Sequence, residues 1–196
     1  WNKTFDAFFH EHGYEPTKVD PCLYIRCEGD AVLWVIIWVD DILMVGDKRM
    51  RSDLRARLIK KFQMSTKVDN VPTELLGMQV KYEAELGIME LGQSKYAMQI
   101  VNQYRDQGVI VRTCDTPMME STKLTKQDSP QSEVERKYMA KKDYRGVIGS
   151  LLFLTMCTRP DIAYAVKDLS RFLDSPGIKH WEATQHLLEY VKHTHH

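Results

Sequence analysis

The chain has 196 residues, a length that suits one or two domains, and 43% of them are apolar, enough for a real core. Its 27 basic and 27 acidic residues cancel, so no global field draws in nucleic acid or an anionic membrane, and local charge has to carry any such argument. The longest largely apolar run, Val147 to Cys157, is too short to cross a bilayer; four scattered cysteines without a CxxC pair suggest reduced thiols; and the opening WNKTFDAFF has no signal-peptide layout and reads as cut from something longer.

In chain order, Trp1 to Gly13 has the spacing of a short amphipathic helix, with Phe5, Phe8 and Phe9 on one face. Asp20-Pro21 marks a turn, Cys22 to Arg26 is strand-like, and Ala31 to Trp38 is a strand rich in Val, Ile and Trp. Ile42 to Val45 is a second apolar strand, so Asp40 and Asp41 fall at a hairpin tip. Lys48 to Phe62 switches to helical period, with Met50, Leu54, Leu58 and Phe62 on one face. Between Lys48 and Lys67 there are eight basic residues and one acid, a local net charge of +7. Glu74 to Tyr82 and Ile88 to Leu91 form another strand pair. A helix follows from Ser94 to about Asp106, with Gly108 just beyond it. Glu120 to Arg136 is polar and reads as a linker or mobile loop. Helices over Tyr138 to Cys157, Pro160 to Leu173 and Lys179 to His193 complete the chain. Strands followed by helices suggest an α+β protein.

The stretch WVIIWVDDILMVGD places Asp40 and Asp41 inside an apolar run. Adjacent carboxylates repel, and apolar neighbours raise the cost of keeping both ionised. Full solvation of the turn, a basic neighbour or a divalent cation can relieve this. Magnesium prefers one or two carboxylates together with substrate phosphates, which suits phosphoryl transfer. On spacing alone, a solvated turn is the commoner case, because Asp is a favoured turn residue. The basic helix can track phosphates, or it can be a solvated face opposite an apolar stripe. The C-terminal histidines His193, His195 and His196 read as a frayed tail.

At these residues a resemblance enters. WVDDILMVGD resembles the Tyr-Val-Asp-Asp box of reverse transcriptases encoded by copia-type retrotransposons. WNKTFDAFFHEHGYEPTKVDPCLYI is similar to the segment before that box, and TELLGMQV to the Leu-Gly element of the primer grip. YRGVIGSLLFLTMCTRPDIAYAV and HWEATQHLLEYVKHT resemble a signature further along the same polyproteins. The resemblance implies a partial right-hand polymerase palm, an antiparallel sheet with covering helices, over residues 1–92. A mainly helical thumb or connection region over 93–196 would follow, with the mobile linker near 120–136.

The same resemblance implies Mg²⁺-dependent transfer of deoxynucleotides to a primer 3′-hydroxyl on an RNA or DNA template. Asp40 and Asp41 would hold two Mg²⁺ ions in the intact enzyme. Trp38, where the family has Tyr, would pack under a primer nucleotide. Leu76 and Gly77 would lie in the primer grip, and Lys67 near the incoming triphosphate. Template-primer and dNTP would be substrates. The rest of the polyprotein, upstream fingers and first palm strand and downstream ribonuclease H, would be partners, with no membrane role. The setting would be a cytoplasmic virus-like particle or the nucleus, not secretion. No residue here replaces the family's first catalytic Asp, so the chain alone is expected to be inactive. The alternative is a non-catalytic remnant that binds nucleic acid weakly or packs against a protein.

Overall fold

The alternation of apolar and polar residues along Ala31–Trp38 is what builds the first sheet. The computed structural model describes residues 2–39, 41–62, 64, 72–105, 114–119 and 123–196. Among these, the chain forms seven α-helices and two antiparallel sheets, an α+β protein. It divides into two compact units, Trp1–Val68 and Asp69–His196. This division falls earlier in the chain than the functional one expected between 92 and 93.

In the first unit, α1 (Asn2–Glu11) leads into a four-stranded sheet ordered β1-β2-β3-β4. The strands are β1 (Glu15–Pro16), β2 (Leu23–Glu28), β3 (Ala31–Trp38) and β4 (Asp41–Gly46), followed by α2 (Lys48–Phe62). Leu33, Val35 and Ile37 of β3 are buried, while Trp34, Ile36 and Trp38 between them are exposed. The buried set packs with Tyr24 of β2, Phe5, Phe8 and Phe9 of α1, and Met50, Leu54 and Leu58 of α2. Both helices therefore cover one face of the sheet. Phe5 stacks on Phe62 at 4.2 Å, and Phe9 on Tyr24 at 4.7 Å, joining helix to helix and helix to sheet. The basic residues of α2 lie outside this apolar stripe: Arg57 pairs with Asp53 at 2.9 Å and Arg49 with Glu28 at 2.6 Å. β1 was not foreseen. It is two residues long with Pro16 at the sheet edge, where a missing N–H costs little.

Gly46 ends β4 at φ 138°, opposite Leu33, and a Cβ there would collide with the Val32 carbonyl oxygen. Only glycine allows the chain to turn so tightly from β4 into α2.

The second unit starts with a three-stranded sheet, β5 (Glu74–Leu75), β6 (Met78–Glu83) and β7 (Ile88–Gly92), in sequence order. One strand was expected over Glu74 to Tyr82. A tight turn at Leu76 and Gly77 divides it instead. Helices α3 (Ser94–Tyr104), α4 (Glu133–Met139), α5 (Tyr144–Cys157), α6 (Ala163–Ser170) and α7 (Ile178–His193) follow. Their shared core includes Ile100, Leu151, Leu154, Ile162, Leu187 and Leu188.

The stretch expected to be a mobile linker is partly structured. Leu124 is buried in the core, residues Lys126–Asp128 form a 3₁₀ turn, and Ser132 with Glu135 makes a capping box for α4. The single helix expected over Tyr138 to Cys157 is two, because Asp143 caps a new start by accepting from the Gly146 N–H at 2.9 Å. Nor is the C-terminal segment frayed: Ser94 Oγ–H donates to the His195 carbonyl, and His195 Nδ1–H donates to the Lys192 carbonyl at 2.6 Å.

His180 is fully buried at the start of α7. Its Nδ1 accepts from the Gly177 N–H at 2.8 Å, which leaves Nε2–H to donate to the Thr125 carbonyl at 3.1 Å. The ring stacks on Phe172 at 4.0 Å. Burial lowers its pKa, and the Thr125 carbonyl and the Asp128 and Asp168 carboxylates only partly offset this. It is a structural pin holding the 123–128 segment to α7.

Candidate nucleotidyl-transfer site

Antiparallel strands pair residues on the same face. In the β3–β4 hairpin Trp34 faces Val45, Ile36 faces Leu43, and Trp38 faces Asp41. Asp41 therefore opens β4 as a strand residue, on the sheet face opposite α1 and α2. That face is apolar and uncovered within the first unit: Trp38 is 58% exposed, and Trp34, Ile36 and Val45 are also exposed. An exposed carboxylate thus stands at the end of an open apolar surface. The basic helix α2 packs on the other face, away from Asp41.

The register closes at Trp38 opposite Asp41, which leaves two residues between the partners. Val39, the first of them, has φ 51°. Positive φ at the first turn residue belongs to the primed turns that match strand twist. Valine is a poor residue for it, because its branched Cβ crowds the backbone. Asp40, the other predicted ligand, lies outside the described residues, as does Lys67.

Leu76 and Gly77 form a second two-residue turn. Leu75 pairs with Met78, and the two residues between them have φ 52° and 75°, a type I′ geometry. Val39 and Leu76 are the non-glycine residues with positive φ among those described. Strained backbone of this sort collects at functional sites. Both strained positions fall within the two quoted motifs, one in each compact unit. Sequence reasoning identified the motifs but missed the strain, which leaves no signal in residue type when Val or Leu fills the position.

The fit to magnesium can be tested on the donor set. Asp41 offers hard oxygen donors in an exposed position at a strand end. Among the described residues no group of three or more His, Cys, Asp or Glu is placed to hold a metal ion. A magnesium site built from one or two carboxylates plus substrate phosphates fits these residues; an all-protein cage does not.

Comparisons with known proteins bear on the same residues. Residues 1–120 match the family described as reverse transcriptase (RNA-dependent DNA polymerase). Over 99% of its length the chain is 36% identical to the retrovirus-related Pol polyprotein from transposon TNT 1-94 of Nicotiana tabacum, covering 14% of that polyprotein. It is 30% identical over 183 residues, 93% of the chain, to the Pol polyprotein from transposon RE1 of Arabidopsis thaliana, covering 12% of it. It is also 26% identical over 197 residues, covering 97% of the chain and 59% of the relative, to a putative transposon Ty5-1 protein of Saccharomyces cerevisiae. The chain thus spans a small part of the Pol polyproteins it matches. No solved structure matches it. With the acidic box and the Leu-Gly turn inside the family match, and 99% of the chain aligned to the TNT 1-94 polyprotein, the chain belongs to the reverse transcriptase family of copia-type retrotransposons.

Proposed function

We propose that this chain supplies the distal palm (residues 1–92) and the thumb or connection region (93–196) of an RNA-directed DNA polymerase. The observation that carries the reading is the β3–β4 hairpin, which sets Asp41 beside Trp38 on an open sheet face. Asp40 and Asp41 would hold the Mg²⁺ ions together with the phosphates of the incoming dNTP, and the bound ions would supply Lewis-acid chemistry for phosphoryl transfer to the primer 3′-hydroxyl. Trp38 offers an aromatic plane on which a primer nucleotide packs. The Leu76-Gly77 turn positions the primer strand, and the exposed Gly77 lets a backbone approach closely. Lys67 pairs with the triphosphate.

The substrates are an RNA or DNA template-primer and dNTP. The partners are upstream fingers with the first palm strand, which brings a further carboxylate, and a downstream ribonuclease H. The setting is a virus-like particle in the cytoplasm, or the nucleus.

Primer extension tests this reading. In a longer polymerase that contains this chain, Asp41→Asn is expected to lower incorporation by about a hundredfold or more, the scale of losing one preorganised charge contact. Undiminished extension by that variant would overturn the assignment. The 196-residue chain by itself is expected to incorporate no dNTP, because no residue of this sequence matches the first catalytic Asp of the family's motif.

A further inference from the structure

Helix α2 carries seven basic residues and one acid. Residues four apart in a helix share a face, so α2 divides into rows. Met50, Leu54 and Leu58 form the buried row, packed in the core of the first unit. The opposite row is Lys48, Ser52, Ala56 and Lys60, all exposed. Arg51 and Arg55 flank it on one side, and Arg49, Arg57 and Lys61 on the other. The two middle residues of the outer row are small, so this face is a shallow trough with a cation at each end and cations along both flanks. Lys48 and Lys60 stand about 18 Å apart along the helix axis, at a rise of about 1.5 Å per residue.

Little inside the unit answers this charge. Arg49 pairs with Glu28 at 2.6 Å and Arg57 with Asp53 at 2.9 Å. Lys48, Arg51, Lys60 and Lys61 form no ion pair among the described residues. The placement also works against the helix itself. Its first turn holds no acid but holds Lys48, Arg49 and Arg51, where the positive helix end disfavours cations. Asp47 caps that end, accepting from the Met50 N–H at 2.9 Å, and sets one carboxylate against three cations. Arg51 with Arg55, and Arg57 with Lys61, are like charges one turn apart, which repel. A face that served only solubility would mix both signs. One-signed charge held against the helix's own stability is relieved by an external polyanion.

The kind of polyanion follows from what the face lacks. A membrane surface needs an apolar row free to insert, and the apolar row of α2 is already buried in the core. A protein interface is anchored by large aromatic or aliphatic side chains, and no exposed large apolar side chain belongs to α2 among the described residues. Cations spaced around a trough of small residues suit a chain of phosphates, which they track without reading sequence.

We propose that the outer face of α2 binds the sugar-phosphate backbone of nucleic acid, independently of sequence. The polymerase reading calls for the same class of ligand at the β3–β4 hairpin, but α2 covers the opposite face of that sheet, so this is a second contact. It uses no divalent cation and no residue of the hairpin, and it stands or falls separately from catalysis.

The test is fluorescence anisotropy of a labelled single-stranded oligodeoxynucleotide, titrated with the 196-residue chain in EDTA at several salt concentrations. Four cations without an ion pair predict a slope of about −3 in log affinity against log salt. Oligonucleotides of equal length and different sequence should bind alike, and poly-glutamate, the control for an acidic protein, should bind more weakly. The double variant Lys60→Gln with Lys61→Gln, and separately Lys48→Gln with Arg51→Gln, should each weaken binding about tenfold at low salt and flatten the slope by roughly half. The two pairs sit at opposite ends of α2, so each covers the case in which the other does not fold. No saturable binding, a dependence on sequence, equal affinity for poly-glutamate, or unchanged affinity and slope in either variant that circular dichroism shows to be folded would each overturn the proposal.

Discussion

At the scale of single residues, the turn conformations at Val39 and Leu76 carry the most information. A β-branched residue at φ 51° costs about 1–2 kcal/mol relative to a residue that tolerates the left-handed region. Val39→Asn should therefore stabilise the chain by about 1 kcal/mol, read as a higher urea midpoint at an unchanged slope. An unchanged or lower midpoint would show that Val39 is not strained. Residue types single out two adjacent acids inside an apolar run, but their role comes only from the family resemblance, because on spacing alone a solvated turn is the commoner case. The face on which Asp41 lies could not be read from residue types. That depends on a register of period two, and one residue of slip would send the carboxylate to the covered side. The β3 alternation of Leu33, Val35 and Ile37 against Trp34, Ile36 and Trp38 fixes the register, because only one set can be buried under α1 and α2.

At the scale of elements, the sequence was most legible where one period ran without interruption. Ala31–Trp38 and Lys48–Phe62 have the bounds that their patterns suggest. Legibility failed where a local polar contact interrupts an apolar run. Asp143 splits what looks like one helix into α4 and α5, and Leu76-Gly77 splits one strand into β5 and β6. The polar 120–136 stretch looked unstructured because its anchors are few: Leu124 in the core, Asp128 paired with Lys179 at 2.7 Å, and His180 holding the Thr125 carbonyl. His180 gives this anchoring a pH dependence. Its folded pKa lies below the ordinary value of 6.5, so the unfolded chain binds its proton first as pH falls. The stability it contributes is complete above about 6.5 and is lost as pH falls toward the lower folded value. Denaturation measured across that window should show stability falling with acidity. In His180→Leu the chain should be less stable overall, with a shallower slope in the same window. An unaltered slope would remove His180 as the pin.

At the scale of the molecule, the fold joins two cores with different logic. The first is a sheet with one face under helices and one face open, and the second is a helical cluster with a small sheet of its own. The open face bears Trp34, Ile36, Trp38 and Val45, an apolar patch on the side of the sheet away from α1 and α2. The polymerase reading assigns that surface to the primer and to the remainder of the palm. The claim on which that reading depends is that the carboxylates of the β3–β4 hairpin take a divalent cation. Paramagnetic broadening by Mn²⁺, used in place of Mg²⁺, measures this in the 196-residue chain by NMR. The amide signals of Trp38, Val39 and Asp41 should broaden first and saturably, and the effect should vanish in Asp41→Asn. Broadening that centres elsewhere, or that persists unchanged in that variant, would contradict the account.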